Sequence, residues 1–326
     1  MGGGSSKPDL VKDLWSGSEG EFESSHGDAI GFRTWTPAGE VRGTVFIVHG
    51  LHEHSGRYSR VAEYLNGKGY AVYANDHAGH GLSAGDNMGF VSDYRHMSDA
   101  VAEFVKTMLD GQPLERPVYM LCHSMGAMVG AVALAKLKAE DAALYGRIKG
   151  VAFTGCALSP GPGSASPLGL TCCFCLTKSK GLLHCLVACF ATADPHGPNA
   201  PIDDACLSHD PEVAARLKKD FYHFRGRIKN KTAHEVVKLS DKTREVLPTL
   251  TLPCLLMHGG DDTICYPDGS EEMLSLLGSS KKTLKVVPGL FHEILNEPNS
   301  EVLLDDITEF YSTCQAVELE NVSLEM

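Results

Sequence analysis

The chain has 326 residues and a formal net charge of −12; at roughly 150 residues per domain the length suggests two domains. Hydrophobic residues at 43% and charged residues at 21% exclude wholesale disorder. The acidic balance excludes a nucleic-acid binder, which needs a basic face to displace counterions from phosphates.

In chain order, residues 1–19 are expected to form a flexible N-terminus. Their first residues fit M-G-x-x-x-[ST], the N-myristoylation pattern, which makes Gly2 a lipidation candidate; the alternative is a plain polar terminus. No apolar h-region follows Met1, so a cytoplasmic chain with reduced thiols is expected. Residues 22–35 hold two alternating runs around His26-Gly27-Asp28, a hairpin pattern. Continuous apolar runs at 44–48 (TVFIV), 70–74 (YAVYA) and 118–122 (VYMLC) predict strands buried on both faces. Further strands are expected at 148–153, 254–257 and 284–287. Helical spacing falls between them at 59–65, 97–109 and 125–139, then at 271–277 and 300–310. This alternation predicts an α/β fold with a mostly parallel sheet and helices on both faces.

The rhythm breaks between residues 159 and 250. A Pro/Gly/Ser loop is followed by apolar runs at 168–176 and 182–191, each too short to span a bilayer. Helix candidates at 211–219 and 231–238 carry more charge. The expected organisation is a core of 20–158 and 251–313, an insertion of 159–250 and a tail of 314–326. The 11 cysteines are an odd number, so they cannot form a fully paired framework. Cys172, Cys173, Cys175, Cys185 and Cys189 cluster in the insertion, as packing residues or S-acylation candidates. None of the spacings pairs C-x-x-C units, so no structural zinc site is expected.

The chemistry begins at VYMLCHSMGA (118–127). A buried strand meets an apolar helix at Ser124, the geometry of a nucleophile elbow, which normally reads G-x-S-x-G. Gly126 is in place and Cys122 replaces the first glycine. The competing reading is that Ser124 caps the helix. A serine nucleophile needs a base, and the base an orienting acid, in the chain order Ser, Asp/Glu, His. Asp261 or Asp262 follows the fifth long strand and His292 the sixth. Acyl transfer also needs donors for the oxyanion. The amides of Met125 and Leu51, the latter in the loop after TVFIV, stand where they are required. The His52-x-His54 pair lacks further ligands, and no metal is expected there.

These residues carry a resemblance. HGLHEHSGRYSRVAEYLNGKGYAVYANDHAGHGLS (49–83), CHSMGA (122–127), PIDDACLS (201–208), LPCLLMHGGDDTICY (252–266) and VPGLFHEILNE (287–297) resemble the monoacylglycerol lipase family of serine α/β-hydrolases, over roughly residues 20–312. The resemblance implies an α/β-hydrolase fold whose insertion is a helical cap. It implies Ser124 as nucleophile, Asp262 as acid, His292 as base, and Leu51 and Met125 as oxyanion donors. It places Glu53 and Arg57 near the glycerol end of the pocket and Cys265 beside the site. The implied substrate is a monoacylglycerol or related lipid ester, with no cofactor and with peripheral membrane contact through the cap. Lysophospholipase, carboxylesterase and S33-type peptidase activities belong to the same fold. A non-hydrolytic lipid sensor is the reading from another class. Three positions depart from the family pattern: Cys122 and Ala127 replace glycines, and Leu295 replaces a histidine found in some members.

Overall fold

In the computed structural model the backbone is described over residues 14–161 and 180–325, and the side chains over 14–161 and 187–315. Gly2, the apolar run at 168–176, Cys172, Cys173, Cys175 and the side chain of Cys185 lie outside the described residues. Eight strands form one sheet: β1 (Ser18–Glu23), β2 (Ala29–Trp35), β3 (Gly43–Val48), β4 (Tyr70–Asn75), β5 (Val118–His123), β6 (Ile148–Thr154), β7 (Cys254–Gly259) and β8 (Lys282–Val287). Their spatial order is β1-β2-β4-β3-β5-β6-β7-β8. The β1–β2 and β2–β4 pairings are antiparallel and every other pairing is parallel. The mostly parallel sheet is the one expected from the apolar runs, and its architecture is the α/β-hydrolase one that the resemblance implies.

The central strands are apolar throughout because both faces are covered. The pleat sends Phe46, Val48, Met120 and Cys122 to one face, and Val45, Ile47, Tyr119 and Leu121 to the other. On the first face lie α2 (Tyr94–Leu109) and α3 (Met125–Glu140). On the second lie α1 (Ser59–Gly67) and a long C-terminal helix, Glu301–Glu325, which contributes Leu304, Ile307 and Tyr311. A short α4 (Ala142–Arg147) leads into β6.

The insertion contributes α5 (Lys180–Ala193), α6 (Pro211–Leu217) and α7 (Asn230–Val246); α8 (Asp268–Leu276) follows β7, and the C-terminal helix is α9. Asp210 starts α6 by accepting from the Glu212 amide, with Pro at the first helical position. Among the described residues no helix is long and apolar enough to cross a membrane.

Two expectations are corrected. The flexible N-terminus ends earlier than residue 19: β1 starts at Ser18, Ser16 N donates to Ser59 Oγ at 3.0 Å, and Trp35 Nε1 donates to Ser16 Oγ at 3.0 Å. The supposed tail beyond 313 continues α9 to Glu325, because no Gly or Pro follows Pro298 to stop it. Within the expected insertion, α7 packs on the core. Leu239 and Val246 join the cluster of α2 and α3, and Glu235 accepts from the Tyr94 amide at 3.2 Å.

Candidate active site

Ser124 sits between β5 and α3 at φ 56° and ψ −121°. A non-glycine residue at positive φ stores about 1–3 kcal/mol, which the surroundings must hold. They do so through the Ser124 amide, which donates to Thr154 O at 2.9 Å, and through α3, packed directly on β3. That approach requires Gly126, since a Cβ there would run into the carbonyl oxygens of Val48 and His49. The Cys122 departure is accommodated from α3: a Cβ on Gly130 would lie 2.6 Å from Cys122 Sγ. The glycine missing from the elbow has its counterpart within the first two turns of α3.

The loop after β8 brings His292 Nε2 to 2.9 Å from Ser124 Oγ. The ring's Nδ1 lies 2.7 Å from Asp262 Oδ2. Both flanking residues are buried, and Ser124, 8% exposed, lines the cavity. Of the two candidates left by chain order, Asp262, the one the resemblance implies, meets His292. Its other oxygen, Oδ1, accepts from the amides of Ile264 and Cys265 at 2.8 and 3.0 Å. Oδ2 also faces His258 Nε2 at 2.9 Å. His258 Nε2 has a second acceptor, Cys265 O, so that nitrogen carries the proton, and Nδ1 accepts from Ser270 Oγ at 2.7 Å.

These contacts set the charges. Burial favours the protonated acid, yet the charge of His292 and hydrogen bonds from His258 and His292 hold Asp262 well below the usual carboxylate range. Burial disfavours the imidazolium. Asp262 outweighs it, with Glu293 and Glu53 adding to the effect, and the proton affinity of His292 is raised. His123, 4.9 Å from the His292 ring, is pushed by burial and by His292 down to about 4 and stays neutral. Burial, then Asp262, pushes the Cys265 thiol far up, so Cys265 is a neutral wall of the site.

Met125 is the first residue of α3, so its amide has no carbonyl four residues back to bond. It lines the cavity together with Leu51, the residue after Gly50 at the end of β3. The cavity holds about 260 Å³, and Ser124 and His292 are among the residues that line it. Ile202, Leu207, Ile228, Val236, Val237 and Ile264 give it apolar walls. Leu295, in place of a histidine, is buried against the α1 side of the core.

Glu53 and Arg57 border this cavity but are committed to each other. Arg57 Nη1 donates to Glu53 Oε2 at 3.1 Å and to Glu293 Oε1 at 2.7 Å, and Nη2 donates to Glu293 Oε2 at 2.7 Å. His52 and His54 meet different partners: the His52 ring stands edge-on to Phe224, and His54 Nε2 lies 2.8 Å from Asp220 Oδ2 of the insertion. Sequence reasoning missed His258 and Glu293. His258 ends a strand just before the acid, and Glu293 adjoins His292, so both were visible as neighbours without a visible partner.

The model of the serine aminopeptidase S33 family (Hydrolase_4) matches residues 39–299. The chain is 31% identical over 302 residues to the monoacylglycerol lipase of Mycolicibacterium smegmatis, covering 90% of this chain and 96% of that one. It is also 31% identical over 274 residues to human monoglyceride lipase, covering 84% and 83%. The crystal structure of Paleococcus ferrophilus monoacylglycerol lipase superposes with a TM-score of 0.69 at 25% identity, over 87% of this chain and 98% of that one.

Proposed function

The chain belongs to the serine aminopeptidase S33 family and is a carboxylic ester hydrolase, and from that premise we propose that it cleaves monoacylglycerols to fatty acid and glycerol. The observation that carries the reading is the Ser124–His292–Asp262 relay, at 2.9 and 2.7 Å, whose serine and histidine line a cavity with apolar walls. Ser124 Oγ attacks the ester carbonyl while His292 Nε2 takes its proton. Asp262 holds the ring with Nδ1 protonated and balances the imidazolium that forms. The amides of Leu51 and Met125 receive the developing oxyanion. His292 then hands its proton to the departing glycerol oxygen. A water molecule, deprotonated by His292, attacks the acyl-enzyme and releases the fatty acid.

The apolar walls suit an acyl chain, which gains about 0.8 kcal/mol per buried CH₂. Contact with a lipid surface is supported by Phe190 of α5 and Phe221, which are 43% and 49% exposed on the insertion. N-myristoylation at Gly2 would add a second anchor, since one chain alone binds membranes weakly.

A fluorophosphonate probe followed by peptide mapping tests the nucleophile: the adduct is expected on Ser124, and an unlabelled protein would mean a non-hydrolytic binder. A panel of mono-, di- and triacylglycerols, lysophospholipids, short esters and peptide amides tests the substrate. Preference for a lysophospholipid, a short ester or a peptide amide would replace the monoacylglycerol reading.

A further inference from the structure

We propose that Glu293 is a positioning residue that ties the loop of His292 to the oxyanion loop through Arg57 and Glu53, an inference that rests on the Ser124 hydrolase reading. Arg57, Glu53 and Glu293 are all buried, at 8%, 4% and 4% exposure, and come from two loops 236 residues apart in sequence. Glu293 grips the Arg57 guanidinium with both oxygens at 2.7 Å, the bidentate geometry that fixes orientation as well as distance. Asn296 Nδ2 donates to Glu293 Oε2 at 2.8 Å and holds the carboxylate from behind.

The chain of contacts then runs to the reacting centre. Arg57 Nη1 reaches Glu53 Oε2 at 3.1 Å. The other oxygen, Glu53 Oε1, accepts from Tyr58 Oη at 2.9 Å and from the Gly50 amide at 2.5 Å. Gly50 immediately precedes Leu51. It is also pressed close to Ser124: a Cβ on it would lie 3.0 Å from Ser124 Cβ. The aim of the Leu51 amide is thus fixed by a carboxylate, and that carboxylate is fixed by an arginine anchored beside His292.

With its guanidinium shared between two carboxylates, Arg57 is already committed before substrate arrives. The trio holds two negative charges against one positive charge. The groups that face His292 are Asp262 after β7, Glu53 after β3, His123 on β5, and Glu293 beside it, and Arg57 acts on it through the two glutamates. Removing the Glu293 charge takes away one of the groups that favour the imidazolium.

This arrangement separates positioning from head-group recognition. If Glu293 and Arg57 serve the oxyanion loop, their loss slows every ester alike. If they grip glycerol, the loss is confined to monoacylglycerols. The experiment measures kcat and KM for p-nitrophenyl butyrate and a monoacylglycerol with wild type, Glu293→Gln, Glu293→Asp and Arg57→Lys. Glu293→Gln is expected to lower kcat on both esters, by up to about a hundredfold, the cost of a 1 Å misplacement. KM is expected to stay within about twofold, as for an interaction felt in the transition state. The acid limb of the pH profile should move to lower pH, and Glu293→Asp should recover part of the rate. Arg57→Lys keeps the charge without the fork and should show the same kcat loss, which carries the test if Glu293→Gln does not fold. Unchanged kcat, or a loss seen only with the monoacylglycerol, would overturn the proposal. A wild-type enzyme inactive on both esters would instead sink the hydrolase reading itself.

Discussion

Replacing Asp262 by Asn keeps the side chain's shape and removes its charge, and the surroundings make the consequence calculable. Oδ1 faces two amide donors, Ile264 N and Cys265 N, and Oδ2 faces His292 Nδ1 and His258 Nε2. An Asn amide carries one NH₂ group, and either orientation points it at donors. Facing Ile264 and Cys265, the NH₂ meets two backbone amides that cannot rearrange. The lower-energy choice turns it toward His292, whose Nδ1 must then become the acceptor. The ring's proton moves to Nε2, the atom 2.9 Å from Ser124 Oγ, which can no longer take the serine proton. The same tautomer defect in Ser-His-Asp proteases lowers kcat by about 10⁴-fold, equivalent to about 5.4 kcal/mol of transition-state stabilisation at 1.36 kcal/mol per decade. The assay is steady-state hydrolysis of p-nitrophenyl butyrate, with the rate of fluorophosphonate labelling measured in parallel. Both rates should fall together while the far-ultraviolet circular dichroism stays native. An Asp262→Asn enzyme within tenfold of wild type would refute the orienting role.

Three further outcomes follow from the same geometry. The proton affinity of His292 is raised above its ordinary value of about 6.5, and a general base works neutral. Accordingly kcat/KM should fall as pH drops through that raised value, with an acid limb above about 6.5; a profile flat down to pH 5 would contradict it. Gly130→Ala places a Cβ 2.6 Å from Cys122 Sγ; overpacking of this kind costs about 1–3 kcal/mol, against about 1 kcal/mol gained in helix propensity. The melting temperature should therefore drop, and adding Cys122→Gly should restore it; additive effects in that double-mutant cycle would show that the two sites do not touch. Asp220→Ala leaves the buried His54 Nε2 without its partner, and should lower stability by about 1–3 kcal/mol in urea denaturation; no change would mean that the insertion is not anchored there.

The sheet was readable because its central strands are apolar without interruption, a pattern that only burial on both faces produces. The edges were less so. Strand β1 begins with Ser-Glu-Gly-Glu, whose residues are exposed or half-exposed, so nothing apolar marked its start. Helix α7 has the charged composition of a surface element, and only its contacts with α2 and α3 show that it belongs to the core layer. At the site, chain order brought Ser124 and His292 forward but left Asp261 and Asp262 open; the family resemblance pointed to Asp262, and the contact with His292 Nδ1 agrees with it. The buried trio was hidden for a different reason. Arg57 and Glu293 are 236 residues apart, and no local pattern announces a bond across that separation. The Cys122 and Gly130 compensation is likewise a matter of one helix facing one strand.

The central claim is that Ser124 is acylated by a monoacylglycerol and releases glycerol. It is tested most directly by following glycerol release from a long-chain monoacylglycerol with wild-type protein and with Ser124→Ala. The account predicts steady release by wild type and a rate lower by several orders of magnitude in the variant. Equal release by the two proteins, or a wild type that leaves monoacylglycerol intact, would contradict it.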